Sequence, residues 1–324
     1  MIIYFLKFQI GGLSMRKIKK MLVSILVVIL ISAISTGAFI GNLVYDLVLN
    51  PKISKNIIYA DNKNTEPRED SKWLIEESNY IDEYVNSFDN LKLHAYIVKN
   101  KVKTDKWAFV VHGYAGNGKL MSDKAKYFYE LGYNVLIPDL RGHGESEGNY
   151  IGMGWDDRLD IISWINHIIE ENPKSEIVLH GTSMGAATVL MTSGENLPSN
   201  VKAIISDSAY TSVLDEFKYE LKMFLNLSYF PLINITDLIT LIRAGYSFRE
   251  ASAIDQVKKA KVPILFIHGD SDKFVPYYMM NELYDATNSP KEKLTVEGAE
   301  HANSDLISPY LYWLTIMDFL EKYV

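Results

Sequence analysis

From Asn79 onward, short β-rich runs alternate with longer amphipathic stretches, and this alternation constrains the fold more than any other feature of the chain. Residues 107–111, 134–138, 176–180, 201–206, 262–268 and 293–297 read as buried strands, and two further strands at 80–87 and 92–98 flank an Asp89-Asn90 turn. Between them, 119–131, 155–171, 184–193 and 276–286 read as helices, with 304–323 closing the chain. In 155–171, Leu159, Ile162, Ile165 and Ile169 keep helical spacing. Strands alternating with helices predict an α/β architecture, a mainly parallel sheet covered on both faces. One interval breaks the rhythm: about fifty residues rich in aromatic and aliphatic side chains separate the strand ending near Ser206 from the one starting near Val262. That exceeds an ordinary connection and predicts a helical insertion, at about 210–258, over the carboxyl edge of the sheet.

A second constraint lies at the start. Arg16, Lys17, Lys19 and Lys20 precede an apolar run from Met21 to Tyr45 that carries no charge until Asp46. About twenty such residues cross a bilayer core. The basic cluster assigns residues 1–20 to the cytoplasm and the bulk of the chain to the outer face. A signal peptide cleaved near Thr36-Gly37-Ala38 competes, but apolar character continues through Phe39, Ile40, Leu43, Val44 and Leu47, which favours an uncleaved anchor. No polar face interrupts the run, which argues against a buried core helix. Gly11-Gly12 can be encoded as a purine-rich ribosome-binding sequence just before the Met15 codon, so Met15 is the expected start. Residues 46–72, polar and punctuated by Pro51 and Pro67, are expected to form a linker, leaving 73–324 as the folded domain.

Composition narrows the function. Residues 61–324 hold 26 basic and 39 acidic side chains, so the folded part is acidic and nucleic acid is not an expected partner. The absence of cysteine excludes disulfide frameworks, iron–sulfur clusters and a thiol nucleophile. At 48% hydrophobic residues the chain can build a core without such staples.

The chemistry is carried by HGTSMG at 180–185, a G-x-S-x-G motif directly after the apolar run Ile177-Val178-Leu179 and directly before a helical stretch. A serine on a tight strand-to-helix turn needs neighbours without bulk two positions to either side, and Gly181 and Gly185 supply them. A serine at its ordinary pKa is a poor nucleophile and needs a base and an orienting acid. Asp270 and Asp272 follow one candidate strand and His301 follows another, so both groups can converge on Ser183 from strand carboxyl ends. Ser, then Asp, then His is the chain order of one known triad type.

Across about residues 75–324 the sequence resembles the α/β-hydrolase superfamily, through VVHGYAGNG (110–118), PDLRGHGESEG (138–148), HGTSMGAAT (180–188), SDSAYTS (206–212), ILFIHGDSDKFVP (264–276) and GAEHANS (298–304). It is most similar to the membrane-anchored Bem46-like hydrolases, and more widely to monoglyceride lipases and the serine aminopeptidase-like group. The resemblance implies an eight-stranded sheet with a helical cap, Ser183 as nucleophile, His301 as base then acid, and Asp272 as orienting carboxylate. It further implies an oxyanion hole built from the Tyr114 and Met184 amides, and catalysis without metal or organic cofactor. Thr182 departs from the pattern, since many relatives carry His there. His112, His143 and His268 are expected to brace loops, and Asp207 to brace the turn after its strand.

The expected reaction is hydrolysis of carboxylic esters through an acyl-enzyme, on acyl or lipid-like substrates. A serine peptidase is the alternative, since similar folds cleave peptides and the triad does not distinguish an alcohol from an amine leaving group; it would need an acidic or polar site for the peptide amine. Asp215, Glu216 and Glu220 are available for that, although they are expected on a solvated helix face. A non-catalytic binding protein is the distant third reading.

Overall fold

The computed structural model describes residues 15–54 and 72–324. Eight strands form one sheet: β1 (Ile81–Asn86), β2 (Lys92–Val98), β3 (Lys106–Val111), β4 (Asn134–Pro138), β5 (Glu176–Thr182), β6 (Val201–Asp207), β7 (Ile264–Gly269) and β8 (Lys291–Val296). Their order is β1-β2-β4-β3-β5-β6-β7-β8, with β2 antiparallel to β1 and β4 and every other pairing parallel. The central strands β3 to β7 are buried almost throughout, while β1 and β8 at the edges expose alternate residues.

Period-two alternation sends the strand side chains into two cores. Trp107, Phe109 and Val111 of β3 join one, under α3 (Asp157–Glu171) and α4 (Met184–Thr192); Ala108 and Val110 join the other, under α2 (Ser122–Glu130). On that second face, His180 Nε2 meets the Tyr312 hydroxyl at 2.9 Å and this hydroxyl donates to Asp207 at 3.0 Å, pinning the C-terminal helix to β5 and β6. Within the turn it was expected to brace, Asp207 accepts from the Ser208 hydroxyl at 3.1 Å, but its bond to Tyr312 reaches beyond that turn to the C-terminal helix.

The insertion between β6 and β7 is helical, comprising α5 (Val213–Leu225), α6 (Leu232–Ala244) and the short α7 (Ala253–Val257). Its boundaries follow local chemistry. Ser212 caps α5 by accepting from the Asp215 N–H at 3.1 Å, while Asn226 and Gly245 end α5 and α6 in the left-handed conformation. After β7 come α8 (Tyr278–Ala286), α9 (Ser304–Ile307) and α10 (Pro309–Leu320). The closing helix predicted over 304–323 is thus two helices, because Pro309 has no N–H to continue the first and starts the second.

The largest correction concerns the N-terminal segment. α1 (Met15–Leu49) is one continuous helix that runs past residue 45 into the expected linker. Residues 21–36 are exposed, as a lipid-facing stretch would be, and none of these residues is buried as a core helix would be. From Gly37 on, the helix lies against α6: a Cβ on Gly41 would come within 2.6 Å of Ile235 Cγ2. Tyr45 and Leu49 are fully buried in the first core, and the Leu49 carbonyl accepts from the Ile151 N–H at 2.8 Å. Residues 51–54 add one more helical turn. The apolar run thus serves two environments, and its last turns pack on protein. The expectations for residues 1–14 and for the linker over 55–71 lie outside the described residues. Leu49→Ala in the full chain should cost about 2–5 kcal/mol of stability, seen as a lower melting temperature in detergent; an unchanged melt would mean that this contact contributes nothing.

Candidate active site

Ser183 stands between β5 and α4 with φ 57° and ψ −120°, a sparsely allowed conformation that its surroundings must enforce. A Cβ on Gly181 would lie 2.1 Å from the Gly185 carbonyl oxygen, and one on Gly185 would lie 2.3 Å from that of Val111, so neither position admits a side chain. The Ser183 N–H donates to the Asp207 carbonyl at 2.8 Å, tying the elbow to β6. The glycine spacing read from the sequence thus has its steric reason.

His301, on the loop between β8 and α9, places Nε2 2.8 Å from Ser183 Oγ and Nδ1 2.8 Å from Asp272 Oδ2. Since the carboxylate accepts from Nδ1–H, Nε2 of the neutral ring is left to accept from the serine hydroxyl. Asp272 itself is buried. Burial alone would raise its pKa, but hydrogen bonds from His268 and His301 outweigh it and hold the carboxyl at about 2. Its other oxygen accepts from the Phe274 and Val275 N–H groups at 2.9 and 3.0 Å. Asp270, two residues earlier, turns away to accept from the Gly298 N–H at 2.8 Å.

His112, His143 and His268 hold loops in place. His268 Nε2 lies 2.9 Å from the Val275 carbonyl and 3.1 Å from Asp272 Oδ2, so it fixes the acid-bearing loop and shares the carboxylate with His301. That second partner was not foreseen, because two histidines separated by more than thirty residues and an intervening strand meet only in the fold. His112 Nδ1 donates to the Gly113 carbonyl at 2.7 Å while its Nε2 accepts from the Leu140 N–H at 3.0 Å, and the His143 ring packs edge-on against it. The 138–148 motif braces in the same way. Asp139 accepts from the Gly118 and Glu145 N–H groups at 2.7 and 2.9 Å, and Arg141 grips Asp160 through two bonds of 2.8 and 2.7 Å.

A Cβ on Gly113 would stand 3.2 Å from Ser183 Cβ, so the loop carrying Tyr114 passes directly over the serine. Met184 opens α4, and the first N–H groups of a helix have no partner within it. A cavity of about 210 Å³ lies here, lined by Ser183, Tyr114, Phe217 and Phe274 among others. Val48 of α1 also lines it, and the Tyr114 hydroxyl donates to the Val48 carbonyl at 2.5 Å. α1 therefore supplies part of the wall.

The acids of α5 need correction. Asp215 is half-exposed and pairs with Lys218 at 3.1 Å, Glu220 is partly exposed, and Glu216 is buried. Glu216 and Glu220, one helical turn apart, both line the cavity; Glu216 is 2% exposed and neither carboxyl oxygen has a hydrogen-bond partner among the described residues. Burial, aided by the charges of Glu220 and Asp272, pushes Glu216 up to about 9, and burial pushes Glu220 up to about 7. At neutral pH Glu216 is a neutral acid. A carboxyl that ionises near pH 4.3 when unfolded but near 9 when folded holds an extra proton in the folded state. Stability should therefore fall as pH rises from about 5 to about 9, and Glu216→Gln should flatten that decline in thermal melts. Parallel curves for the two proteins would contradict the buried-acid assignment.

A strained serine on a strand-to-helix elbow, bonded through a histidine to a carboxylate at the carboxyl edge of such a sheet, defines the α/β-hydrolase class. Comparison with known proteins agrees. Residues 103–233 match the Hydrolase_4 family profile, described as serine aminopeptidase, S33. The chain is 32% identical over 198 residues to the YqkD protein of Bacillus subtilis, covering 60% of this chain and 64% of that one. It is 26% identical over 235 residues to the membrane protein YNL320W of Saccharomyces cerevisiae, covering 72% and 76%. Its match to YqkD spans less than two thirds of that protein's length. Among solved structures, the esterase Pf2001 of Pyrococcus furiosus superposes with a TM-score of 0.63 at 23% identity, over 78% of this chain and 95% of that one, a likeness of fold. Residues 103–233 are thus similar to the Hydrolase_4 family, and the fold is that of the α/β hydrolases.

Proposed function

We propose that this chain is a membrane-anchored serine esterase that works through an acyl-enzyme. The observation that carries this reading is the pair of 2.8 Å hydrogen bonds linking Ser183 to His301 and His301 to Asp272. In the first half-reaction His301 Nε2 takes the Ser183 proton as Oγ attacks the acyl carbonyl, and the oxyanion rests on the Tyr114 and Met184 amides. His301 then gives its proton to the departing alkoxide, leaving an ester on Ser183. In the second half-reaction water, deprotonated by the same nitrogen, releases the acid and restores the serine. Asp272, ionised over the whole physiological range, holds the ring and stabilises the imidazolium.

The acyl group would occupy the cavity over Ser183, whose walls of Val48, Met153, Phe217, Phe274 and Val275 suit hydrocarbon. The exposed apolar stretch of α1 and its flanking basic residues support a single span with the hydrolase domain on the outer face. Glu216 and Glu220 favour a second reading, a peptidase whose substrate brings an ammonium group to these two carboxyls. The full chain in detergent, offered p-nitrophenyl esters from acetyl to palmitoyl alongside amino-acid anilides, separates the two. Ester turnover that depends on Ser183 supports the esterase. Anilide turnover, abolished by Glu216→Gln and Glu220→Gln together while the protein stays folded, would replace it with the peptidase.

A further inference from the structure

We infer that the tip of the cap, residues 222–231, rests in the headgroup–acyl boundary of the leaflet from which α1 emerges, so that the site takes amphiphilic acyl esters directly out of the bilayer. This rests on the membrane-anchored esterase reading above. The first ground is register. Gly37 and Gly41 abut Ile235, Gly41 also abuts Ile239, and further along Arg243 bonds Asn42 and Asp46 at 3.0 and 2.8 Å. Residue numbers rise together on both helices, so α1 and α6 run parallel and α6 begins on the side nearest the exposed stretch of α1.

The second ground is length. At about 1.5 Å per residue, residues 21–40 span about 30 Å, the thickness of a hydrocarbon core. The boundary then falls near residues 37–40, level with Ile235. Leu232, where α6 begins, precedes Ile235 by three residues and so lies about 4.5 Å deeper, and Phe230 lies just ahead of that start. Interfacial segments settle about 5–10 Å into this boundary.

The third ground is composition. Residues 222–231 are exposed without interruption, and among them Met223, Phe224, Leu225, Leu227, Tyr229 and Phe230 are each 50–68% exposed. Such a patch is costly in water and at home at a membrane interface, where aromatic rings gather. It is continuous with α1 through the packing of α6. It also leads inward: the Phe224 ring lies 6.2 Å from that of Phe274, which lines the cavity and stands 5.0 Å from the His301 ring.

The natural chain has no cysteine, so one introduced residue can carry a label. Full-length protein with Phe230→Cys, bearing an environment-sensitive fluorophore, would be reconstituted in 3:1 phosphatidylcholine–phosphatidylglycerol vesicles containing nitroxide-labelled lipids. A Tyr310→Cys label on α10, at a side chain 79% exposed, serves as the reference. We expect at least threefold stronger quenching at position 230. Equal quenching at both positions overturns the inference, as does an unquenched label at 230 that instead reports a second copy by energy transfer. The second arm compares wild type with Leu227→Ser/Phe230→Ser on a monoacylglycerol in the same vesicles and on soluble p-nitrophenyl acetate. A loss of about tenfold on the first substrate alone is expected; an equal loss on both would overturn delivery from the bilayer. If wild type turns over neither ester, the esterase reading fails, while the quenching still decides where the tip lies.

Discussion

Ser183→Ala should lower kcat for any ester the chain turns over by about 10⁶-fold, the size of loss seen when a serine nucleophile is removed. The fold should survive, because Gly181, Gly185 and the Ser183 N–H bond to Asp207 set the elbow without using the hydroxyl. The measurement is a steady-state assay of both proteins beside a fluorophosphonate label, with a melting curve to show that the variant is folded. Labelling of wild type alone would place the reactive oxygen at Ser183. A folded variant keeping more than a few per cent of the activity would remove Ser183 from the chemistry.

Asp272→Asn should cost about 10⁴-fold in kcat with little change in KM. The carboxylate accepts at once from two backbone N–H groups and two histidines. An amide has only one acceptor oxygen. If that oxygen keeps the Phe274 and Val275 amides, its NH2 group faces His301 Nδ1 and selects the tautomer whose Nε2 carries a proton and cannot accept from Ser183. His268 would lose its second acceptor but keep the Val275 carbonyl, so the loop should hold. Because the wild-type carboxyl lies near 2 and an unfolded one near 3.9, its contribution to stability is complete above about pH 4 and fades as pH falls towards 2. The asparagine variant should lack that acid-side decline, and a wild-type rate should remain should the acid be irrelevant; near-equal kcat values for the two proteins would discard Asp272 as the orienting group.

Much of this arrangement could be read from residue order. The alternation of strands and helices is visible because central parallel strands are apolar on both faces, and the elbow is visible because two glycines flank a serine for a steric reason. What escaped notice depends on what packs opposite. Tyr45 ends, and Leu49 closely follows, an apolar run whose composition suits lipid and protein equally, so nothing local marks where α1 leaves one for the other. Glu216 and Glu220 lie on a helix with the spacing of any solvated acidic face, and only the sheet edge beneath α5 turns that face inward. His268 likewise meets Asp272 through a loop geometry that no local pattern encodes.

The unbroken course of α1 from Met15 to Leu49, ending in the wall of the cavity, has a kinetic consequence. A domain held by this helix in a bilayer, as proposed above, would not roam the solution beside it. It would sample its surroundings only by travelling sideways with the helix, in two dimensions. For a substrate dissolved in the same sheet of lipid, turnover should track the mole fraction of substrate in that sheet, and adding inert lipid at constant total substrate should slow the reaction by dilution in the plane.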